Sequence, residues 1–329
     1  EKIKVITKRY IVTLSNIGGS VSDLELNDYK LNGGPLVLAK IALPDERIFS
    51  IDGINYINNS KFELERNGLN IDYRLRTEKF EIIKKYNFSN DNYGIELEII
   101  LKNFQNEPLF IPYGLIGGSN IEFESKFDER YISLSAKIND KISNFKNKKD
   151  QVTFRDGNTT WAALSNRYFS MILKPLDSNL GIFSKTSVSN NSLIGIRMGG
   201  LEIPSGKEIS NKFFFYAGPN DEGTIKALGK GLEDSLNYGF FGGISKWLLW
   251  ALRLLHKIVP NWGVALILLA IAVSVILYPL SITSYKSMKK LQILQPHMDK
   301  LRKEHKENPK RLQKEMMELY KKHKVNPMG

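Results

Sequence analysis

The feature that most constrains this chain is a long segment without charge, about three-quarters of the way along it. No charged residue occurs from Ile258 to Tyr285, and residues 264–280 are almost wholly aliphatic. As a helix rising 1.5 Å per residue, residues 264–280 would be about 25 Å long, close to the thickness of a bilayer core. A buried helix of a soluble protein is usually shorter. We therefore predict a transmembrane helix over residues 260–283.

The formal net charge of +12 is distributed unevenly about this segment. Residues 1–243 carry 31 Lys and Arg against 30 Asp and Glu, whereas residues 284–329 carry 13 against 5. Because an excess of Lys and Arg directly after a span marks its cytoplasmic side, we place residues 284–329 in the cytoplasm. Residues 1–243 then lie on the other side of the membrane. The chain has no cysteine, which excludes disulfides and thiolate metal sites.

The N-terminal two-thirds of the chain has the pattern of a β protein. Short runs of β-branched and aromatic residues, such as 11–14, 95–101 and 213–216, are separated by Gly, Asn, Asp and Pro. Alternation of apolar and polar residues within such runs is typical of strands with one solvated face. We predict a large antiparallel β-sandwich over residues 1–220, with the Lys- and Asn-rich residues 139–150 as an exposed loop.

Two helical segments are predicted between the sandwich and the membrane span. The first belongs to a helical linker over residues 221–243, and the second is an amphipathic helix over residues 244–259. The three cations of this second helix fall within roughly 40° of one another, on a body rich in Trp, Leu and Ile. Such a helix fits a membrane interface, and a core helix of the sandwich is the alternative. The residues assigned to the interfacial helix are Lys246, Trp247, Trp250, Arg253 and Lys257.

Beyond the span, apolar residues recur with the spacing of an antiparallel helical hairpin. They are Leu291, Leu294, Met298 and Leu301 in one arm and Leu312, Met316 and Leu319 in the other. Asn308 followed by Pro309 is a helix start signal, and Pro296 predicts a kink in the first arm. We therefore predict a basic cytoplasmic hairpin over residues 284–329.

Several short motifs lie beside these predicted features. In chain order, the most specific are LNYGFFGGISK from Leu236, Asn261-Trp-Gly, Tyr278-Pro-Leu, Leu294-Gln-Pro, QKEMMELYK from Gln313 and VNPMG from Val325. Shorter ones in the β-rich part are Trp161-Ala-Ala, Arg167-Tyr-Phe and Tyr216-Ala-Gly-Pro. Their order and spacing resemble the YidC/Oxa1/Alb3 family of membrane protein insertases. The resemblance covers the whole chain and is strongest after residue 236.

The resemblance implies a membrane protein insertase of the bacterial inner membrane, not an enzyme. Its β domain would be a periplasmic, mutarotase-like supersandwich, and the implied mechanism needs no cofactor. The implied partners are nascent membrane proteins, the ribosome, the signal recognition particle and its receptor, the Sec translocon and membrane lipids, but not DNA. Family members from two-membrane bacteria have one membrane helix before the β domain and several after the Asn-Pro-Met-Gly motif. We therefore expect this chain to be a fragment.

The resemblance also points to a hydrophilic membrane groove. The family places an arginine in this groove, five residues before the proline of Tyr-Pro-Leu, and here that position is Ser274. A polar backbone group without a partner in hydrocarbon costs several kcal/mol, so groove hydroxyls can lower the barrier to a passing client. We assign this role to Ser274, Ser281 and Thr283. The alternative is that the three hydroxyls bond only within their own helix.

The hairpin is the expected docking surface for the ribosome and the signal recognition particle system. Its cations suit ribosomal RNA phosphates, although they could instead enforce topology and touch anionic lipid. The residues assigned to docking are Tyr278, Tyr285, Lys286, Lys289, Lys290, Arg302, Lys303, Lys310 and Arg311.

Other functions are less consistent with the sequence. Mutarotases use histidine and a carboxylate, but all four histidines lie after residue 243. A membrane-anchored glycan-binding or scaffold domain, with Trp161 as an aromatic platform, stays as the alternative. A membrane-tethered nucleic-acid binder would need a sequence-reading motif, which the chain lacks. The sequence shows no metal cluster, phosphate loop or nucleophile triad, so we expect no metal and no cofactor.

Overall fold

The computed structural model describes residues 1–31, 33–122, 128–145, 152–176, 181–186, 192–236, 242–305 and 309–322. The chain forms two compact units, one over Glu1–Asn237 and one over Tyr238–Gly329. The described residues of the first unit are mostly strands, and those of the second are helical.

Eighteen strands make up most of the described part of the first unit. In chain order they are β1 (Lys2–Ile6), β2 (Tyr10–Ser15), β3 (Ser20–Leu31), β4 (Gly34–Lys40), β5 (Ile51–Asp52), β6 (Glu63–Asn67), β7 (Asn70–Arg76), β8 (Phe80–Phe88), β9 (Gly94–Asn103), β10 (Leu109–Ser119), β11 (Ser133–Ile138), β12 (Lys141–Phe145), β13 (Val152–Arg155), β14 (Thr159–Ser165), β15 (Phe169–Pro175), β16 (Gly181–Thr186), β17 (Ser192–Ile203) and β18 (Glu208–Pro219). A short helix, α1 (Asn55–Asn59), lies between β5 and β6.

These strands form three sheets. Their strand orders are β1-β2-β3-β4, β13-β16-β17-β10-β5 and β12-β11-β14-β15-β18-β9-β8-β7-β6. Neighbouring strands pair antiparallel, as in the register of β8 with β9 and of β9 with β18. Alternate side chains of most strands point into a core to which all three sheets contribute. The antiparallel sandwich predicted from the sequence is confirmed.

The Lys- and Asn-rich residues 139–150 are only partly the loop that the sequence predicts. Asn139 and Asp140 form a turn with positive φ, and β12 follows and pairs with β11. Phe145 at the end of β12 is 8% exposed and belongs to the core. The loop prediction is wrong for β12 because an open sheet edge and one core contact outweigh local composition. Residues 146–150 lie outside the described part of the chain.

The predicted helical linker begins with a segment that packs on the strands. Its helix, α2 (Glu222–Ala227), buries Ile225 completely in the core, and Leu232 is equally buried beyond it. Lys137 on β11 forms an ion pair with Asp234 at 2.7 Å. The hydrogen bond to Asp234 raises the pKa of Lys137. These contacts extend the first unit past residue 220.

The second unit contains three helices, α3 (Gly242–Ile258), α4 (Trp262–Glu304) and α5 (Pro309–Lys322). Asn261 caps α4, and its side-chain oxygen accepts hydrogen bonds from the N–H groups of Gly263 and Val264. The predicted membrane span and the first arm of the predicted hairpin thus form one helix of 43 residues. Pro279 and Pro296 both lie inside α4. Each proline removes one N–H donor and crowds the carbonyl four residues before it, and α4 continues through both positions.

The antiparallel hairpin is present in the described residues. The Tyr320 hydroxyl of α5 lies 3.9 Å from the Met298 sulfur of α4, and Glu315 lies 3.9 Å from His305 nearer the tip. Because later residues of α4 meet earlier residues of α5, the two helices run in opposite directions. Leu294 is 3% exposed, and the other apolar residues predicted to join the two arms of the hairpin are partly buried. The predicted start signal at Asn308 falls outside the described residues.

Candidate functional site

Four hydroxyl-bearing residues form a stripe along one face of α4. Ser274, Tyr278, Ser281 and Tyr285 occupy positions i, i+4, i+7 and i+11, which places them within roughly 40° of Ser274 around the helix axis. All four side chains are exposed in the structure. Thr283, the third hydroxyl assigned to the groove, lies about 180° from Ser274. We call Ser274, Tyr278, Ser281 and Tyr285 the hydroxyl stripe.

The three hydroxyls assigned to the groove each donate to their own helix. The Oγ of Ser274 donates to the carbonyl of Ala270 at 2.8 Å, and that of Ser281 to the carbonyl of Leu277 at 3.0 Å. Thr283 donates to the carbonyl of Pro279 at 2.9 Å. A hydroxyl that donates in this way keeps its acceptor lone pairs. Each can therefore still accept a hydrogen bond from a peptide N–H.

The cations assigned to docking fall into two groups along the helix axis. Lys286, Lys289 and Lys290 lie within about 8 Å of Tyr285 at 1.5 Å per residue. Arg302 and Lys303 lie about 25 Å or more from Tyr285 along the same axis. Lys310 and Arg311 begin α5 and so lie at this far end of the hairpin. We call these groups the proximal lysines and the tip cations.

Helix α3 carries the residues assigned to the membrane interface. Its three cations, Lys246, Arg253 and Lys257, keep their narrow edge because α3 is an uninterrupted helix. Trp247 is 53% exposed and Trp250 is 60% exposed. Large aromatic side chains on a helix surface beside cations are typical of the boundary between lipid and water.

Trp161 does not have the exposure that a glycan platform needs. It lies on β14 with 0% of its surface exposed, and its indole N–H has no hydrogen-bond partner in the described residues. Trp161 therefore cannot serve as the aromatic platform of the glycan-binding alternative. β14 is buried along almost its whole length, and Trp161 belongs to the core.

A buried lysine was not found by sequence reasoning. The ammonium of Lys84 donates to the carbonyls of Gly18 at 2.7 Å and Phe49 at 2.8 Å, and the side chain is fully buried. Burial lowers the pKa of Lys84 to about 7. Both acceptor residues have positive φ, so Lys84 joins two turns of left-handed backbone. The sequence does contain a signal for this burial: Lys84 lies between Ile82 and Tyr86 in the row of β8 side chains that points inward.

Comparison with known proteins assigns both parts of the chain. Residues 2–251 match the family described as YidC periplasmic domain, and residues 254–329 match the family described as 60Kd inner membrane protein. The chain belongs to the YidC family. It is therefore an inner-membrane protein with a periplasmic domain, and the apolar part of α4 is a transmembrane segment. This membership agrees with the expectation that the chain is not an enzyme.

Relatives of this YidC chain extend over nearly all of it. The membrane protein insertase YidC of Pseudoalteromonas atlantica is 26% identical over 99% of this chain, and that of Geotalea daltonii is 28% identical over 99%. The chain spans 64% and 65% of the length of these two relatives. Among solved structures, an aldose epimerase homologue from C. elegans covers 67% of the chain with 9% identity and a TM-score of 0.48.

Proposed function

We propose that this chain is the part of a membrane protein insertase that joins its periplasmic domain to the first wall of a membrane groove. The full-length protein assists the insertion and folding of inner-membrane proteins, alone or with the Sec translocon. The observation that carries the proposal is the hydroxyl stripe, because it aligns four hydroxyl side chains on one face of α4, two of them within the aliphatic residues 264–280. Polar side chains within membrane segments are costly and usually face water or a polar partner.

The stripe lowers the cost of moving polar backbone through hydrocarbon. A client segment that has not yet folded carries unpaired N–H and C=O groups, each costing several kcal/mol in lipid. Ser274 and Ser281 offer acceptors to these N–H groups, and the hydroxyls of Tyr278 and Tyr285 offer both donors and acceptors. The client leaves the stripe when its own helical hydrogen bonds replace these contacts. No covalent step is needed.

The proximal lysines and the tip cations have different roles in this proposal. The proximal lysines lie close enough to the bilayer to contact anionic headgroups and to fix the orientation of α4. The tip cations lie several Debye lengths from the headgroups, since that length is about 8 Å at physiological salt. Contact with lipid therefore does not account for them. We infer that the tip cations bind a partner that carries RNA, namely the ribosome, together with the signal recognition particle and its receptor.

The proposed orientation places the first unit in the periplasm and residues 284–329 in the cytoplasm. Helix α3 then lies along the periplasmic surface, with its cationic edge toward water. Because the chain has no cysteine, single cysteines at Asn144 and Gln313 can report each side with a membrane-impermeant maleimide. Labelling of residue 144 only from outside, and of residue 313 only after permeabilisation, is the expected pattern. The reverse pattern would exclude the insertase topology.

The groove role is tested at Ser274. Full-length versions with Ser274, Ser274→Arg and Ser274→Leu are compared by protease protection of clients in cells depleted of their own insertase. If hydration and hydrogen bonding carry the function, Ser274→Arg retains activity and Ser274→Leu loses it. A gain with arginine limited to clients with acidic translocated tails would assign the role to charge. Leucine equal to serine with every client would remove any polar role for position 274.

A further inference from the structure

A cleft of about 430 Å³ opens on the first unit where three segments distant in sequence meet. Its volume lies within the range of sites that hold small ligands or short peptide segments. The aromatic rings of Tyr29 and Phe169 meet edge to face at 5.0 Å and form one wall. The lining residues are Tyr29, Lys30, Leu36, Arg167, Tyr168, Phe169, Pro219, Asn220 and Asp221.

The turn between β14 and β15 presents its side chains to this cleft in a fixed arrangement. The side-chain oxygen of Asn166 accepts from the N–H groups of Tyr168 at 2.9 Å and Phe169 at 2.8 Å. Asn220 holds the turn from the other side, since its side chain donates to the carbonyl of Asn166 and its N–H to that of Tyr168. A site fixed in this way binds without the entropy cost of ordering its own loop.

The cations of the cleft are available to a ligand. The guanidinium of Arg167 lies 5.3 Å from the ring centroid of Tyr131 and 5.4 Å from that of Tyr168. Contact with the ring faces orients the planar guanidinium and leaves its N–H groups able to donate hydrogen bonds to a ligand. Within the described part of the chain, neither the guanidinium of Arg167 nor the ammonium of Lys30 donates a hydrogen bond to a protein acceptor.

Two side-chain acceptors that line the cleft already receive hydrogen bonds from the protein. The carboxylate of Asp221 accepts from the N–H of Thr224 at 2.7 Å and from its hydroxyl at 2.9 Å. The side-chain oxygen of Asn220 accepts from the hydroxyl of Ser170. A sugar must donate as well as accept, whereas a carboxylate only accepts. Open cationic donors beside aromatic walls therefore favour a carboxylate next to an aromatic group over a sugar.

We propose that this cleft binds an extended acidic and aromatic peptide segment, the translocated part of a client next to its membrane span. The inference rests on the insertase function proposed above. By the positive-inside rule, translocated segments are poor in Lys and Arg, and Trp and Tyr are enriched where spans meet the outer surface. The carboxylate of such a segment contacts Arg167 and Lys30, and its aromatic ring packs on Tyr168 and Phe169.

The test measures binding of fluorescent synthetic peptides to the full chain in detergent by anisotropy. The probe has Asp-Trp-Asp at its centre, and Lys-Trp-Lys and Asp-Ala-Asp peptides are compared with it. We expect the probe to bind most tightly, and to bind less tightly as salt screens the contact. Arg167→Gln and Tyr168→Ala should each weaken it about tenfold. Arg167→Lys, which keeps the charge but loses the fork, should weaken it less than Arg167→Gln.

Two surface variants serve as matched controls. Arg155→Gln removes another exposed arginine that lies over a ring, that of Phe145 at 5.0 Å. Tyr56→Ala removes a tyrosine that is 56% exposed, against 54% for Tyr168. Neither should change the affinity.

Three results would overturn the proposal: no binding of the probe, equal binding of the acidic and basic peptides, or equal loss in Arg155→Gln and Arg167→Gln. If Arg167→Gln unfolds the chain, the affinities of Tyr168→Ala and Arg167→Lys for the probe test the proposal instead. Because peptide binding needs no insertion, failure here leaves the groove function standing. Failure of the Ser274 assay likewise leaves the measured binding intact.

Discussion

The imidazole of His256 stacks on the indole of Trp262, with ring centroids 3.7 Å apart and planes 11° apart. His256 lies in the last turn of α3, and Trp262 is the first residue of α4. The contact therefore bridges residues 259–261, the link between the helix assigned to the interface and the membrane helix. A stacked aromatic pair contributes about 0.5 to 1.5 kcal/mol beyond its buried area. That is enough to favour one angle between two short-linked helices.

His256→Ala should loosen the angle between α3 and α4, because nothing then stacks on Trp262. Spin labels at Leu248 and Leu266 in nanodiscs should report a broader distance distribution by double electron–electron resonance. His256→Phe keeps a stacking ring and should restore the narrow distribution. His297→Ala removes an exposed histidine of α4 elsewhere and serves as the control. An unchanged distribution in His256→Ala would show that the stack does not set the angle.

Local sequence pattern predicts that the helices of the second unit exist, but it does not predict where each of them begins and ends. Length and the absence of charge predict the span, and the spacing of apolar residues predicts the contact between the two arms of the hairpin. The continuity of α4 through Pro279 and Pro296 does not follow from pattern, since a proline inside a helical run reads as a kink or an end. The helix has enough hydrogen bonds on both sides of each proline to continue.

A fragment ending at residue 237 should fold alone and melt cooperatively, whereas one ending at residue 220 should be less stable. The shorter fragment loses the buried side chains of Ile225 and Leu232, each worth about 1.5 to 3 kcal/mol when fully buried. It also loses the ion pair of Lys137 with Asp234. Urea unfolding followed by circular dichroism compares the two. Equal midpoints would place the end of the folding unit at residue 220.

The fragment ending at residue 237 should become more stable as pH rises from about 7 to about 10. The pKa of Lys84 is about 7 when folded, against 10.5 ordinarily, so in this range the unfolded chain binds one more proton. Stability then rises by about 1.4 kcal/mol per pH unit from this group. Above about pH 10 the trend reverses, because burial raises the pKa of Tyr10 and Tyr86 and the unfolded chain loses their protons first.

The control for this pH dependence is the next residue on the same strand. Lys84→Met should flatten the rise between about pH 7 and about pH 10, since no buried ammonium remains. Lys85→Met, on the exposed face of β8, should retain it. The measurement is the urea midpoint across this range. A rise of the same slope in Lys84→Met would assign the effect to other groups.

The cleft and the buried lysine show where sequence reasoning stops. Lys84 could be found from the alternation of β8, because one polar residue in an inward row is a local signal. Arg167 and Asn220 could not be brought together in that way. Their place in one cleft depends on the pairing of β15 with β18, which no local period encodes. The hydroxyl stripe can be predicted from the sequence, since its spacing is helical. The sequence analysis instead assigns Tyr278 and Tyr285 to docking.

The tip cations should control ribosome binding and the proximal lysines should not. Charge reversal at the tip, Lys310→Glu with Arg311→Glu, should lower the affinity of the full-length protein in nanodiscs for ribosomes by about tenfold or more. Arg311 pairs with Glu315 at 3.7 Å, an exposed helix contact worth only about 0.3 to 0.5 kcal/mol, so α5 should persist.

Lys289→Glu with Lys290→Glu is the control, because it changes the charge equally but close to the bilayer. It should weaken contact with anionic lipid and leave ribosome affinity nearly unchanged, because Lys290 lies about 18 Å, or about two Debye lengths, from the tip cations along α4. Co-sedimentation with ribosomes and flotation with anionic vesicles measure the two effects separately. Equal loss of ribosome binding from both pairs would mean that net charge, not position along the hairpin, attracts the ribosome.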